Sequence, residues 1–152
     1  MGDSRHIRRQ HIALLMPRIH NKWILALSVV LIDQAAKFSV LKYFGSHVLK
    51  NPNLALNLRI SFLEPKYISL ATLLVIIVLA IIFWNKISQP SALLVVAGSF
   101  SNLIDRFWSG GVIDFINPKI WPSFNIADLA ITVGLVLLCI NFFRISQARR
   151  FS

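Results

Sequence analysis

"FNIADLAITVGLVLLCINFF", residues 124–143, decides how the rest of the chain is read. From Ile126 onward it is apolar for about 18 residues, the lower end of the length that spans a bilayer. Yet Asp128 stands in its first turn. An ionisable group at membrane depth costs a few kcal/mol or more, which makes such a residue functional by default. The bland alternative is a helix cap, because a negative charge is favoured at the positive end of a helix.

Working outward, three more apolar runs precede this one: Trp23–Phe44, interrupted by Asp33 and Lys37, then Tyr67–Trp84 and Ser91–Trp108. The chain of 152 residues is 56% hydrophobic and 14% charged, whereas soluble domains carry about a quarter charged residues. The pattern predicts an α-helical membrane protein with four transmembrane helices (about 23–44, 67–84, 91–108 and 126–143). A basic N-terminal tail, 1–22, and a basic C-terminal tail, 145–152, flank the membrane domain of residues 23–144. Residues 1–22 have no short apolar core followed by a small-residue cleavage site, so the first run is read as a retained span.

Four spans put both ends on one side. The two tails, with Arg144 and the turn holding Lys86, carry nine basic residues, against five in the loops 42–66 and 110–125. That excess predicts cytoplasmic termini and outward-facing long loops. In the first of those loops Leu54, Leu56, Leu58, Ile60 and Phe62 alternate with Ala55, Asn57, Arg59 and Ser61. The period of two predicts a strand in a small extracytoplasmic β-sheet resting on the membrane.

Basic residues outnumber acidic ones 16 to 6. Many of them flank apolar runs, which suits phospholipid head groups better than nucleic acid, and no nucleic-acid partner is expected. The single Cys139 lies in an apolar run, which rules out an intrachain disulfide, and the four histidines have no metal-site spacing. No metal is expected.

Four of the six acids, Asp33, Asp105, Asp114 and Asp128, fall inside or at the ends of the predicted spans. Asp33 and Lys37, four apart on one helix, can form an ion pair or take a direct part in chemistry. Asn102, Asp105 and Arg106 cluster near the outer end of the third span, where scaffold and substrate contact are both open readings. Asp114 follows that span and Asp128 opens the next, so a loop between antiparallel helices returns both to one boundary, with Asn125 beside them. Two adjacent carboxylates cannot both ionise cheaply, and one shared proton makes an acid and a base. Such a pair activates water and polarises an amide carbonyl without a nucleophilic side chain or a metal.

At this point the chain resembles the lipoprotein signal peptidase (signal peptidase II) family of bacterial membrane aspartyl proteases. "DQAAK" (33–37) is similar to the family's Asp-x-x-x-Lys, "SNLIDR" (101–106) to Gly-Asn-x-x-Asp-Arg, "GVIDF" (111–115) to Val-x-Asp-Phe, and "FNIAD" (124–128) to Phe-Asn-x-Ala-Asp. The four motifs run in order over about residues 23–144. The resemblance implies that Asp114 and Asp128 are the catalytic pair, with Asn53, Asn102, Asp105, Arg106 and Asn125 shaping the site and Asp33 and Lys37 supporting it. It implies cleavage of a diacylglyceryl-modified prolipoprotein just before the lipidated cysteine, without a cofactor. It further implies a monomer among phospholipids of the bacterial inner membrane, with its site near the outer face.

Three residues depart from the family pattern: Ala36 where a hydroxyl residue is usual, Ser101 where glycine is usual, and Leu58 where phenylalanine is common. Two other readings remain open. Ser99 or Ser101 with Lys37 would make a serine–lysine peptidase, and the membrane acids could line a proton or cation path in a small transporter.

Overall fold

The computed structural model describes residues 4–45, 50–52, 64–85, 87–120 and 122–148, with the side chains of 4–21, 145 and 148 left aside. Helix α1 runs Ser4–Phe44, β1 Lys50–Asn51, α2 Pro65–Ile82, α3 Gln89–Ser109, β2 Val112–Ile113 and α4 Ile126–Ala148. Pro65 and Pro90 stand in the first turns of α2 and α3, where the missing N–H is no loss. Gly110, at φ +74°, ends α3 in the left-handed conformation glycine adopts most readily.

Among the described residues three segments are long and apolar enough to cross a membrane: Lys22–Phe44, Pro65–Ile82 and Ile126–Arg144. Their exposed surfaces are rich in Leu, Ile, Val and Phe, the face a lipid-embedded helix presents. The molecule is a multi-pass membrane protein. Helix α3 is not among the three because polar residues lower its mean hydropathy, and four of these, Ser91, Ser101, Asn102 and Asp105, are buried. It is the central helix and packs against α4, α1 and α2.

Small residues set the α3–α4 approach. A Cβ at Gly98 would lie 2.5 Å from the carbonyl oxygen of Ala127, and one at Gly134 would lie 2.7 Å from that of Ser91. Helices come this close in a membrane only where side chains are absent. At the end away from the acids, Trp23 of α1 stacks on Trp84, just past α2, at 6.3 Å, and Lys22 hydrogen-bonds Gln89.

Among the described residues the sheet is antiparallel with two strands, pairing Lys50 with Ile113 and Asn51 with Val112. Its first strand thus lies just before the alternating stretch 54–62, which falls outside the described residues along with Asn53 and Leu58. Gly111 makes the pairing possible, since a Cβ there would sit 2.9 Å from the Asn51 carbonyl oxygen.

Candidate active site

Lys37 is the hub from which the site is built. Its Nζ lies 2.6 Å from Asp33 Oδ2 and 2.6 Å from Asp105 Oδ2, and donates to Asn102 Oδ1 at 3.1 Å. Three acceptors meet the three donors of an ammonium group. All four side chains are buried, so the positive charge is taken from water only in the company of two carboxylates.

Each of those carboxylates also grips the backbone. Asp33 Oδ1 accepts the N–H of Ala127 at 2.9 Å, and Asp105 Oδ2 accepts that of Ile113 at 3.2 Å. Ala127 and Ile113 are the residues immediately before Asp128 and Asp114. One lysine on α1 therefore ties down the peptide groups flanking both candidate aspartates. Ser101 and Gln34 complete the layer: the Ser101 hydroxyl donates to Asp33 Oδ2 at 2.7 Å, and Gln34 Nε2 donates to Ser101 Oγ and to Asp105 Oδ1, each at 3.0 Å.

Asn125 joins the two aspartates. Its Nδ2 donates to Asp114 Oδ1 at 2.9 Å, while its backbone N–H donates to Asp128 Oδ2 at 3.2 Å. In return the Asp128 N–H donates to Asn125 Oδ1 at 2.9 Å. The last two bonds form a reciprocal cap on α4, of the kind that satisfies the unpaired N–H groups of a helix start. Cap and candidate catalytic group are thus the same residue. Asn102 Nδ2 donates to Asp128 Oδ1 at 2.8 Å, and Asn51 Nδ2 to Asp114 Oδ2 at 3.2 Å.

Every carboxylate oxygen of the pair thus receives an amide donor. Amides orient a carboxylate without cancelling its charge. Burial, reinforced by the nearby Asp128 charge, pushes the Asp114 carboxyl from the ordinary 3.8 up to about 6, against the opposing hydrogen bonds of Asn51 and Asn125. Its last proton is therefore held close to physiological pH.

The structure brings Asp33, Lys37, Asn102, Asp105, Asp114, Asn125 and Asp128 into one continuous network. Arg106 joins it through Nη1, 3.4 Å from the Asn102 carbonyl oxygen. Asn53 lies outside the described residues. Sequence reasoning passed over Asn51, signalled only by its place beside Pro52, and Gln34, hidden next to Asp33. Ser101, where the family pattern usually has glycine, supplies a hydroxyl donor to Asp33.

The same geometry bears on the other readings. Lys37 spends its three donors on oxygen acceptors, and the Ser101 proton points to Asp33, so the pair is not set up as nucleophile and base. The four acids gather at one end instead of being strung along the helices. Among the described residues no group of three His, Cys, Asp or Glu side chains could hold a metal.

Asp114, Asp128, Asn102 and Arg106 open onto a cavity of about 1870 Å³. Its floor is α3, its walls are α2 and α4, and its lining away from the acids is apolar, with Leu73, Ile76, Leu79 and Leu135. An extended or helical apolar segment fits such a trough, and a polar group at its end would reach the carboxylates.

A family profile described as "Signal peptidase (SPase) II" matches residues 25–144. Relatives named "Lipoprotein signal peptidase" include one from Moorella thermoacetica, 32% identical over 133 residues (76% of this chain and 88% of that protein). Another, from Aquifex aeolicus, is 32% identical over 139 residues (78% and 83%). A solved structure described as a bacterial membrane enzyme shares the fold, with a TM-score of 0.69 at 23% identity over 84% of this chain and 90% of that one. A profile match over most of the chain and relatives aligned along most of both sequences lead to one conclusion: the chain belongs to the signal peptidase II family.

Proposed function

We propose that the protein is an aspartic endopeptidase that removes signal peptides from diacylglyceryl-modified prolipoproteins, cutting before the lipidated cysteine. The observation that carries this reading is Asn125 hydrogen-bonded to both Asp114 and Asp128 at the polar end of an apolar cavity. Asp128, held by the Asn102 amide and by the start of α4, is the base. Asp114, protonated, is the acid. Asp128 takes a proton from water as the water oxygen bonds to the scissile carbonyl carbon, while Asp114 donates a hydrogen bond to the carbonyl oxygen. Collapse of the tetrahedral intermediate breaks the C–N bond, and the leaving nitrogen takes a proton from the pair. Asn51, Asn102, Asn125 and Arg106 orient the two carboxylates and the substrate, and Asp33, Asp105 and Lys37 hold the peptides beneath them.

In this reading α3 is a fourth span, its 21 residues about 31 Å long. The termini are cytoplasmic and the site faces the outer boundary of the bacterial inner membrane, where a lipid-anchored peptide meets water. The test is cleavage of a diacylglyceryl-modified prolipoprotein in membranes by wild type, Asp114→Asn and Asp128→Asn. Both variants are expected to lose at least about 10³-fold in kcat. Wild-type rates from either one refute the assignment.

A further inference from the structure

Between the two aspartates the chain makes a small hairpin that the proposed chemistry does not use. Ile116 and Phe124 pair through two backbone hydrogen bonds, Ile116 N–H to the Phe124 carbonyl at 2.9 Å and the reverse at 3.0 Å. The tip that follows reads Asn117-Pro118-Lys119-Ile120-Trp121-Pro122-Ser123. Ile120 is 95% exposed, an extreme value for a branched aliphatic side chain, and Lys119 holds a positive φ of 65° that turns the chain at this point. At the end of α3, next to the hairpin in sequence, Trp108 is 90% and Phe107 54% exposed.

We propose that this hairpin, with the end of α3, is an anchor in the phospholipid head-group layer, and that it sets the level of Asp114 and Asp128 relative to the bilayer. The hairpin leaves and rejoins the bundle within two residues of both Asp114 and the start of α4. A four-residue strand reaches at most about 14 Å, so the tip stays close to the plane where the apolar face of α4 begins. Helix α1 passes this level, since Lys37 meets Asn102 and Asp33 meets Ala127 there, and Ile68 and Ser69 near the start of α2 line the same cavity as Asp114. The exposed tip is thus continuous with the lipid-facing surface of the spans. Its composition suits the layer, because aromatic and aliphatic side chains settle at the acyl boundary while a lysine meets phosphate. Two prolines stiffen the tip, so its insertion is transmitted to residues 116 and 124 and from there to the neighbouring carboxylates.

The test uses the full chain in phosphatidylethanolamine–phosphatidylglycerol vesicles, with a nitroxide on Ile120→Cys in a Cys139→Ser background. Power saturation compares collisions with oxygen and with a water-soluble nickel chelate, and a label at Val75 on the lipid face of α2 serves as the reference. Anchoring predicts a label at position 120 that favours oxygen and lies at head-group depth without substrate and at any protein density. A water-like label overturns the proposal. Protection that develops only on adding substrate assigns the tip to substrate, and protection that grows with protein density assigns it to a second copy, and either overturns it. Cleavage is the second readout, and this arm rests on the proposed activity. Ile120→Asp is expected to lower kcat/KM about five- to tenfold in vesicles and less than twofold in detergent micelles. Equal deficits in the two media overturn it.

Discussion

Asp114 and Asp128 are chemically alike and differently held. Asp128 closes a cap on its own helix, whereas Asp114 stands in a loop and is kept in place by two asparagine amides. With its carboxyl raised to about 6, Asp114 is protonated below that pH and ionised above it. If Asp114 is the acid of the pair, as proposed, kcat/KM falls as pH rises through about 6, while the limb of kcat itself lies higher, because bound substrate expels water from the cavity. A kcat/KM that stays level from pH 5 to 8 counts against this role. The same raised value bears on stability. The folded chain holds the Asp114 proton more tightly than the unfolded chain, so stability is lost as pH rises from about 4 to about 6. Asp114→Asn removes that ionisation. It is expected to be more stable than wild type at pH 7 and above, by on the order of 1–2 kcal/mol after allowance for solvent at the cavity mouth. The gap closes below pH 4, and thermal unfolding in detergent across pH 4–8 reads it.

At the scale of elements, the α3–α4 seam carries the precision of the site. Gly98 faces the Ala127 carbonyl, one residue from Asp128, whereas Gly134 faces Ser91 and Val95 nearly two turns further along. Alanine at either position forces the helices apart, an overpacking that costs about 1–3 kcal/mol. Only Gly98→Ala displaces the first turn of α4 itself. It is therefore expected to lose at least about tenfold in kcat, while Gly134→Ala at matched loss of thermal stability stays within about threefold. Equal kcat losses would show that the seam acts through global stability alone. The helices were legible in the sequence because hydropathy marks where lipid contact is needed, and the start of α4 at Ile126 was legible too, but the chain-terminal ends of α1 and α4 were not. Helix α1 begins at Ser4, well before the first apolar run, since Arg, Gln, Ala and Leu favour helix without needing a membrane. The strands were harder still: two-residue pairs such as Lys50–Asn51 and Val112–Ile113 are too short to show alternation. The cluster of acids at the candidate site was legible because such residues are conspicuous in an apolar chain. Asn51 and Gln34 are ordinary polar residues until folding brings them to a carboxylate.

For the whole molecule, the decisive property is that α3 packs against α1, α2 and α4 while α2 and α4 stand apart as walls. No local pattern announces this, because it depends on how three lipid-compatible helices divide the surface of a fourth. Hydrophobic driving force does little between helices in lipid, so an open trough lined by apolar side chains is stable there, whereas in water it would close. If that trough receives the membrane segment of the substrate, binding and chemistry are separable along its length. Ala80 lines it on α2, fifteen residues beyond Pro65 and so about 22 Å along the helix from the site end. A tryptophan there removes room without touching a carboxylate. Ala80→Trp is expected to raise KM about tenfold with kcat within about twofold, the signature of lost uniform binding. A short lipidated peptide that lacks the apolar segment should be cleaved at the wild-type kcat/KM, because it never reaches Ala80. A fall in kcat with KM unchanged, or an equal loss on the short peptide, would mean that the substrate's apolar segment lies elsewhere and that the trough holds only lipid.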